Sequence, residues 1–291
     1  MLRVFIGSVC TVALYFSTLH IAFASPPYDT FVEKVAALEQ HYGGRLGVAL
    51  YRTKDDTWYT YRGDERFPLC SVFKVVAVAD LLKRSESDPA LLQTRFPVQE
   101  NAILPFSFAI RKYLKSGISL KEIAESCLVV SDNTAANMLL RALGGPAAVT
   151  AFAHALGHTE FRLDRWEMEM NDSTPGDERD TVSPLAMTKL LHKIVLGDVL
   201  AASTRAQLTR WMINCMTGEK RLAAGTPRAW TVAQKTGTGD YGTTNAIGVL
   251  WPPVGYPLVL SVFYTQDSVD AEARSDLIAT IAQLATQPQQ D

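Results

Sequence analysis

The chain has 291 residues, 28 Lys and Arg against 30 Asp and Glu, a net charge of −2, and a hydrophobic fraction of 47%. That balance leaves no basic excess for a nucleic-acid partner, and a chain this long and this apolar fills a full-sized core without staples. None of its 4 cysteines stands at metal-ligand spacing from another cysteine or from a histidine, so a Cys-His metal site is not expected, and no cofactor is called for.

The first two dozen residues read as an export signal spanning residues 1–24. Arg3 precedes an apolar stretch from Val4 to Ile21, and Ala22-Phe23-Ala24 before Ser25 is the small-x-small pattern a signal peptidase accepts. Gly7, Ser8, Thr11, Ser17, Thr18 and His20 interrupt the stretch, so no stable membrane anchor is expected. Cys10 leaves with that segment, and Cys70, Cys127 and Cys215 remain, an odd number for an oxidising compartment. At least one thiol is then free or paired between chains. The apolar contexts PLCSVF, ESCLVV and MINCMT favour buried, unreactive thiols.

From Tyr28 to Gln40 the positions Phe31, Val35 and Leu38 recur at helical spacing, and Gly43-Gly44 stops the helix. Arg45 to Tyr51 and Trp58 to Tyr61 alternate around Lys54-Asp55-Asp56, a hairpin pattern. Helical patterns then dominate without a convincing strand: Val75 to Arg84, Leu120 to Leu143, Pro146 to Leu156, Pro184 to Val195 and Ala201 to Trp211. Strand-like runs return at Thr231 to Lys235, Thr244 to Trp251 and Leu258 to Tyr264, before a last helix from Ala271 to Ala285 and a polar tail, Gln287 to Asp291. Strands at both ends of the chain predict an α/β fold. One antiparallel five-stranded sheet flanked by helices comes from residues 25–70 and 212–291, with an all-helical domain, residues 71–211, inserted. Inside the insert, residues 162–181 form a polar, aperiodic loop of the length that usually serves function.

Three short constellations carry chemistry. In Ser71-Val72-Phe73-Lys74 the hydroxyl and amine share a helix face, where a partly desolvated lysine can take the serine's proton. The pair alone recurs by chance about once in a chain of this length. Ser131-Asp132-Asn133 interrupts a helical pattern and is equally readable as a cap or kink. Lys235-Thr236-Gly237-Thr238-Gly239 ends a predicted strand with a cation, hydroxyls and glycines. That suits a substrate amide and carboxylate, or an ordinary strand-to-turn junction.

In this order and spacing the three motifs match the pattern of penicillin-interacting serine enzymes, and the chain from Tyr28 to Ala285 resembles the class A serine β-lactamases. Arg165-Trp166-Glu167, with Asn171 and Pro175-Gly176-Asp177, resembles that family's Ω loop. The resemblance implies periplasmic, monomeric hydrolysis of small β-lactams, conferring resistance. Ser71 is the implied nucleophile, Lys74 or Glu167 the acylation base, and Ser131 the proton relay. Glu167, with Asn171, would activate the deacylating water.

It further implies that the amides of Ser71 and Thr238 form an oxyanion hole, where one lost donor costs about 3 kcal/mol. Asn133 would hold the substrate's side-chain amide, while Lys235, Thr236 and Thr238 receive its carboxylate. Arg165 and Asp180 would close the Ω loop as an exposed pair contributing little to stability. Many relatives place an arginine after Lys-Thr-Gly, where this chain has Tyr241-Gly242-Thr243-Thr244-Asn245. Arg221 in MTGEKRL is the replacement suggested by similarity to the serine carbapenemases, or else a solvated loop charge. Their disulfide is absent, because the position that would pair with Cys70 is Gly239. Phe106 matches a gatekeeping aromatic or is a core residue, and Asp240, in a stretch similar to the cefotaximases, meets an oxyimino side chain or is a turn acid. A cell-wall transpeptidase or carboxypeptidase, a penicillin sensor and a binding protein are the rival readings. The Glu167 loop argues against the first and the cleavable leader against the second.

Overall fold

The computed structural model describes residues 29–287, so the predicted leader, residues 1–24, and all but the first residue of the polar tail lie outside it. Helix α1 (Asp29–Tyr42) turns Phe31 and Val35 inward and ends where the Gly43 N–H bonds Glu39 O at 2.8 Å. The predicted hairpin follows as β1 (Arg45–Arg52) and β2 (Thr57–Tyr61). After β3 (Phe67–Pro68), a single 3-10 turn at Cys70–Val72 opens α2 (Phe73–Ser85). Every residue from Phe73 to Leu82 is buried, as befits the central helix of the insert.

The insert continues through β4 (Arg95–Phe96), β5 (Ile118–Ser119), α3 (Leu120–Val129), α4 (Asn133–Leu143), α5 (Pro146–Ala155), β6 (Thr181–Val182), α6 (Pro184–Val195) and α7 (Ala202–Ile213). The chain then returns through α8 (Leu222–Gly225) to β7 (Thr231–Thr238), β8 (Thr244–Trp251), β9 (Leu258–Thr265) and α9 (Ser275–Ala285).

The antiparallel sheet runs β2-β1-β9-β8-β7, so the first hairpin closes against the last strand, with Val48 opposite Val262. Alternation divides its residues between two cores. Val48, Leu50, Leu250, Leu260 and Val262 pack with Phe31, Val35, Leu277 and Ile281 on one side. Ile247, Val249, Val259 and Phe263 join the insert's helices on the other. The predicted α/β architecture with its helical insertion is therefore present.

Four expectations change. The single helix expected from Leu120 to Leu143 is two, because Ser131 takes φ 59 and the Asp132 side chain caps α4 by accepting the Ala135 N–H. The strand expected to end at Lys235 runs to Thr238, carrying Lys-Thr-Gly inside the ladder. The insert holds strands after all, but β4 and β5 pair with each other, and β6 with β3 outside the insert, over only two residues each, too short for any periodicity to register. The last helix starts at Ser275, since Thr244 Oγ1 takes the Arg274 N–H at 3.0 Å and Arg274 leaves helical geometry. Cys70, Cys127 and Cys215 are all free and buried, as their apolar contexts suggested.

Candidate active site

Ser71 lies in the turn that opens α2, following Cys70, which the chain holds at φ 43. Its Oγ donates to Glu167 Oε1 at 3.2 Å, and Lys74 Nζ reaches the same oxygen at 2.8 Å. Serine and lysine thus meet on a shared carboxylate. The side chains of Lys74 and Glu167 are wholly buried, so removing either would leave an uncompensated charge. Lys74 also donates to Ser131 O at 2.9 Å, Ser131 Oγ at 3.3 Å and Asn133 Oδ1 at 2.9 Å.

The break between α3 and α4 delivers those partners. Asp132 accepts from Ala135 N at 2.9 Å and Ile110 N at 3.1 Å, fixing the loop, while Ser131 in left-handed geometry turns its hydroxyl to Lys235 Nζ at 2.8 Å. The tripeptide is both a cap and part of the site. Burial pushes the fully enclosed Lys235 ammonium down to about 7, and nearby Lys74 acts in the same sense.

Residues 162–181 bring Glu167 into place. Asn137 of α4 grips its backbone from both sides, accepting its N–H at 3.0 Å and donating to its C=O at 2.8 Å. Asn171 Nδ2 donates to Glu167 Oε2 at 2.7 Å, while Asn171 Oδ1 is buried with no protein partner. Asp180 closes the loop through Arg165 Nε and by accepting the N–H groups of Asp164 at 2.7 Å and Arg165 at 2.9 Å. The side chains of Arg165 and Asp180 are only 13% and 1% exposed, which corrects the expectation of an exposed pair of little consequence.

Strand β7 forms the opposite wall. Thr236 Oγ1 meets Thr217 Oγ1 at 2.5 Å, and Arg221 Nη2 donates to Thr238 Oγ1 at 2.6 Å. Arg221 Nη1 also donates to Gly237 O at 2.6 Å and Asn245 O at 2.7 Å. Its side chain is therefore inside the fold, 7% exposed, and not a solvated loop charge. Burial lowers its guanidinium to about 10. Glycine is required where β7 meets the loops: a Cβ on Gly239 would come within 2.5 Å of Ser173 Oγ and 2.8 Å of Cys70 Sγ. Phe106 is 67% exposed on the loop that Asn133 Nδ2 holds through Pro105 O, so the core reading is excluded. Asp240 is exposed, its N–H bonded to Asn171 O at 2.9 Å.

Ser71, Lys74, Ser131, Asn133, Glu167, Asn171 and Lys235 thus form one connected polar cluster, with Thr236, Thr238 and Arg221 joined along β7. Sequence reading missed Asn137, Thr217 and Asn245. The spacing of Asn137 from Asn133, one helical turn, was the available signal; Thr217 and Asn245 carried none.

Residues 30–289 match the model of the family described as "Beta-lactamase enzyme family". The chain is 46% identical over 259 residues to Beta-lactamase OXY-1 of Klebsiella oxytoca, covering 89% of each chain. It is 44% identical over 274 residues to Beta-lactamase CTX-M-97 of Escherichia coli, covering 93% and 94%. A β-lactamase crystal structure from Burkholderia ambifaria superposes with a TM-score of 0.85 at 45% identity, over 87% of this chain and 97% of that one. A structure of an ancestral class A β-lactamase gives 0.85 at 46% identity, over 87% and 98%. With motifs, cluster and fold in agreement, the chain belongs to the β-lactamase enzyme family, among its class A members.

Proposed function

We propose that the chain hydrolyses the β-lactam bond of penicillins and cephalosporins through an ester on Ser71, which water activated by Glu167 then cleaves. The observation that carries this reading is the convergence on one carboxylate: Ser71 and Lys74 on Glu167 Oε1, Asn171 on Oε2. A lysine–carboxylate pair that accepts the serine's proton in the first half-reaction thereby leaves the carboxylate positioned to accept water's in the second.

In acylation Ser71 Oγ bonds the lactam carbonyl carbon, and its proton passes to the Lys74–Glu167 pair. The C–N bond breaks as Ser131 gives its proton to the departing nitrogen and regains one from its lysine neighbours. In deacylation Glu167 takes a proton from water held with Asn171. The hydroxide adds to the ester carbon, and Ser71 leaves reprotonated. The backbone N–H groups of Ser71 and Thr238 receive the carbonyl oxygen's developing charge.

Lys235, Thr236, Thr238 and Arg221 bind the substrate carboxylate, Asn133 its side-chain amide, and Phe106 borders the entrance. Exposed Asp240 suits the aminothiazole of oxyimino cephalosporins, a reading supported by the likeness to the CTX-M enzyme. We divide the molecule into residues 25–70 with 212–291 and an inserted 71–211, preceded by a leader, residues 1–24, that sends a monomer to the periplasm. Among the described residues no helix is long and apolar enough to cross a membrane.

The test is Glu167→Ala incubated with benzylpenicillin. Intact-mass analysis should show a stable covalent adduct on Ser71 while turnover falls by about a thousandfold or more. Rapid turnover by this variant removes Glu167 from deacylation. A persistent adduct on the unaltered enzyme would favour a transpeptidase.

A further inference from the structure

We propose that Asn245 is a positioning residue for the oxyanion hole, fastening the backbone that presents the Ser71 amide to the strand pair that presents the Thr238 amide; the inference rests on the acyl-serine reading above. The two amides come from unrelated parts of the chain, one from the turn before α2 and one from the end of β7. Their separation must hold to a fraction of an ångström for both to reach one oxygen.

Asn245 occupies the position that can set it. On β8 it stands opposite Gly237, next to the Thr238–Thr244 pair, and it is completely buried. Its Nδ2 donates to Pro68 O at 2.7 Å and Leu69 O at 3.2 Å, the carbonyls just upstream of Cys70 and Ser71. Its own carbonyl accepts from Arg221 Nη1 at 2.7 Å, and Arg221 continues to Gly237 O and Thr238 Oγ1. One residue therefore touches both halves of the hole, through its side chain and its main chain.

Two further observations separate this arrangement from ordinary packing. Asn245 Oδ1 is buried without a protein partner, so the fold keeps an amide here for its donor end, where an apolar side chain would bury more easily. The segment it holds is one that does not hold itself, since Cys70 sits at φ 43 in left-handed backbone. Gly237 completes the seam. A Cβ there would lie 2.9 Å from Leu69 O and 3.3 Å from Asn245 Nδ2, so β7 and the turn are in direct backbone contact where Asn245 bonds across.

The experiment reads the hole directly. In the Glu167→Ala background, the penicilloyl adduct is formed with benzylpenicillin, and infrared difference spectroscopy follows its ester carbonyl stretch, which moves to higher wavenumber as the hydrogen bonds on that oxygen weaken. Asn245→Ala removes the fastening, and Asn245→Asp keeps the shape while turning the donor into an acceptor against two carbonyls. Both should raise the stretch and slow acylation by about tenfold to a hundredfold, less than outright loss of a donor, with substrate affinity little changed. Val35→Ala, a core truncation on the far side of the sheet, should leave the band in place.

An unmoved carbonyl band in a folded Asn245 variant overturns the inference. So does failure of both variants to fold while Val35→Ala folds, which would make Asn245 a folding residue only. Absence of any rapid-quench adduct on Ser71 in both the Glu167→Ala parent and the unaltered enzyme would sink the acyl-serine reading itself, a different failure with a different signature.

Discussion

The two faces of the sheet are built from the same strands and do opposite things. Toward α1 and α9, Val35, Val48, Leu260, Val262, Leu277 and Ile281 interdigitate as plain aliphatic packing. Toward the insert, Lys74, Glu167 and Lys235 are buried as completely as any valine, and Cys70, Phe106, Ser131 and Asp180 all take left-handed backbone around them. One face supplies stability with no special geometry. The other holds charges and strained residues that would be unfavourable if isolated, and each is retained by a named partner: Asp132 for the Ser131 turn, Asn137 for Glu167, Arg165 for Asp180.

The sharpest way to break that contrast is to remove a retaining partner from the strained face. Asp180→Ala leaves Arg165 with only the more exposed Asp172 and Asp177 as counterions and frees two backbone N–H groups, so thermal unfolding should show a loss of about 3 kcal/mol. Deacylation should fall more than acylation in rapid-quench kinetics, because the loop carrying Glu167 loosens. A loss below about 1 kcal/mol would return the pair to the class of surface bridges.

Val35→Ala on the quiet face should cost about 2 kcal/mol in denaturant unfolding and leave kcat and KM for benzylpenicillin unchanged. A change in KM would mean the two faces are mechanically coupled.

The gentlest perturbation is pH. Burial lowers Lys235 to about 7, well below an ordinary lysine, so the cation proposed to receive a substrate carboxylate is present below that pH and lost above it. The kcat/KM for a carboxylate-bearing penicillin should fall by up to about tenfold per pH unit on the alkaline side, with kcat at saturation falling less. Because the folded value is depressed, the same titration makes unfolding harder between about 7 and the ordinary lysine value of about 10.4. A flat kcat/KM profile to pH 9 would show Lys235 charged throughout.

How much was legible in the sequence follows the same division. Period-2 and period-3.6 patterns located the main strands and most helices, because those segments bury one face and their side chains say which. That Ser71, Lys74, Glu167 and Lys235 come together was legible because their motifs and spacing matched a known family. The split of α3 from α4 was hidden, since Leu128 and Leu139 keep the helical pattern across a break set by the φ of Ser131 and the cap at Asp132. Arg221 was ambiguous because burial decides its role, and burial there comes from Gly237, Asn245 and Thr238, which lie 16 to 24 positions away. Asn245 has no local signature at all. Its partners are 176 and 177 residues upstream, and only the fold brings them together.

The strand order β2-β1-β9-β8-β7 also governs how the molecule comes into being. The N-terminal ribbon of β1 and β2 leaves the ribosome first, yet its inner edge stays unsatisfied until β9, the last strand to be synthesised, arrives. A two-stranded ribbon is barely stable by itself, so the chain cannot complete its framework during translation. Assembly waits for nearly the full length, and an open β1 edge is the surface through which unfinished chains would associate wrongly.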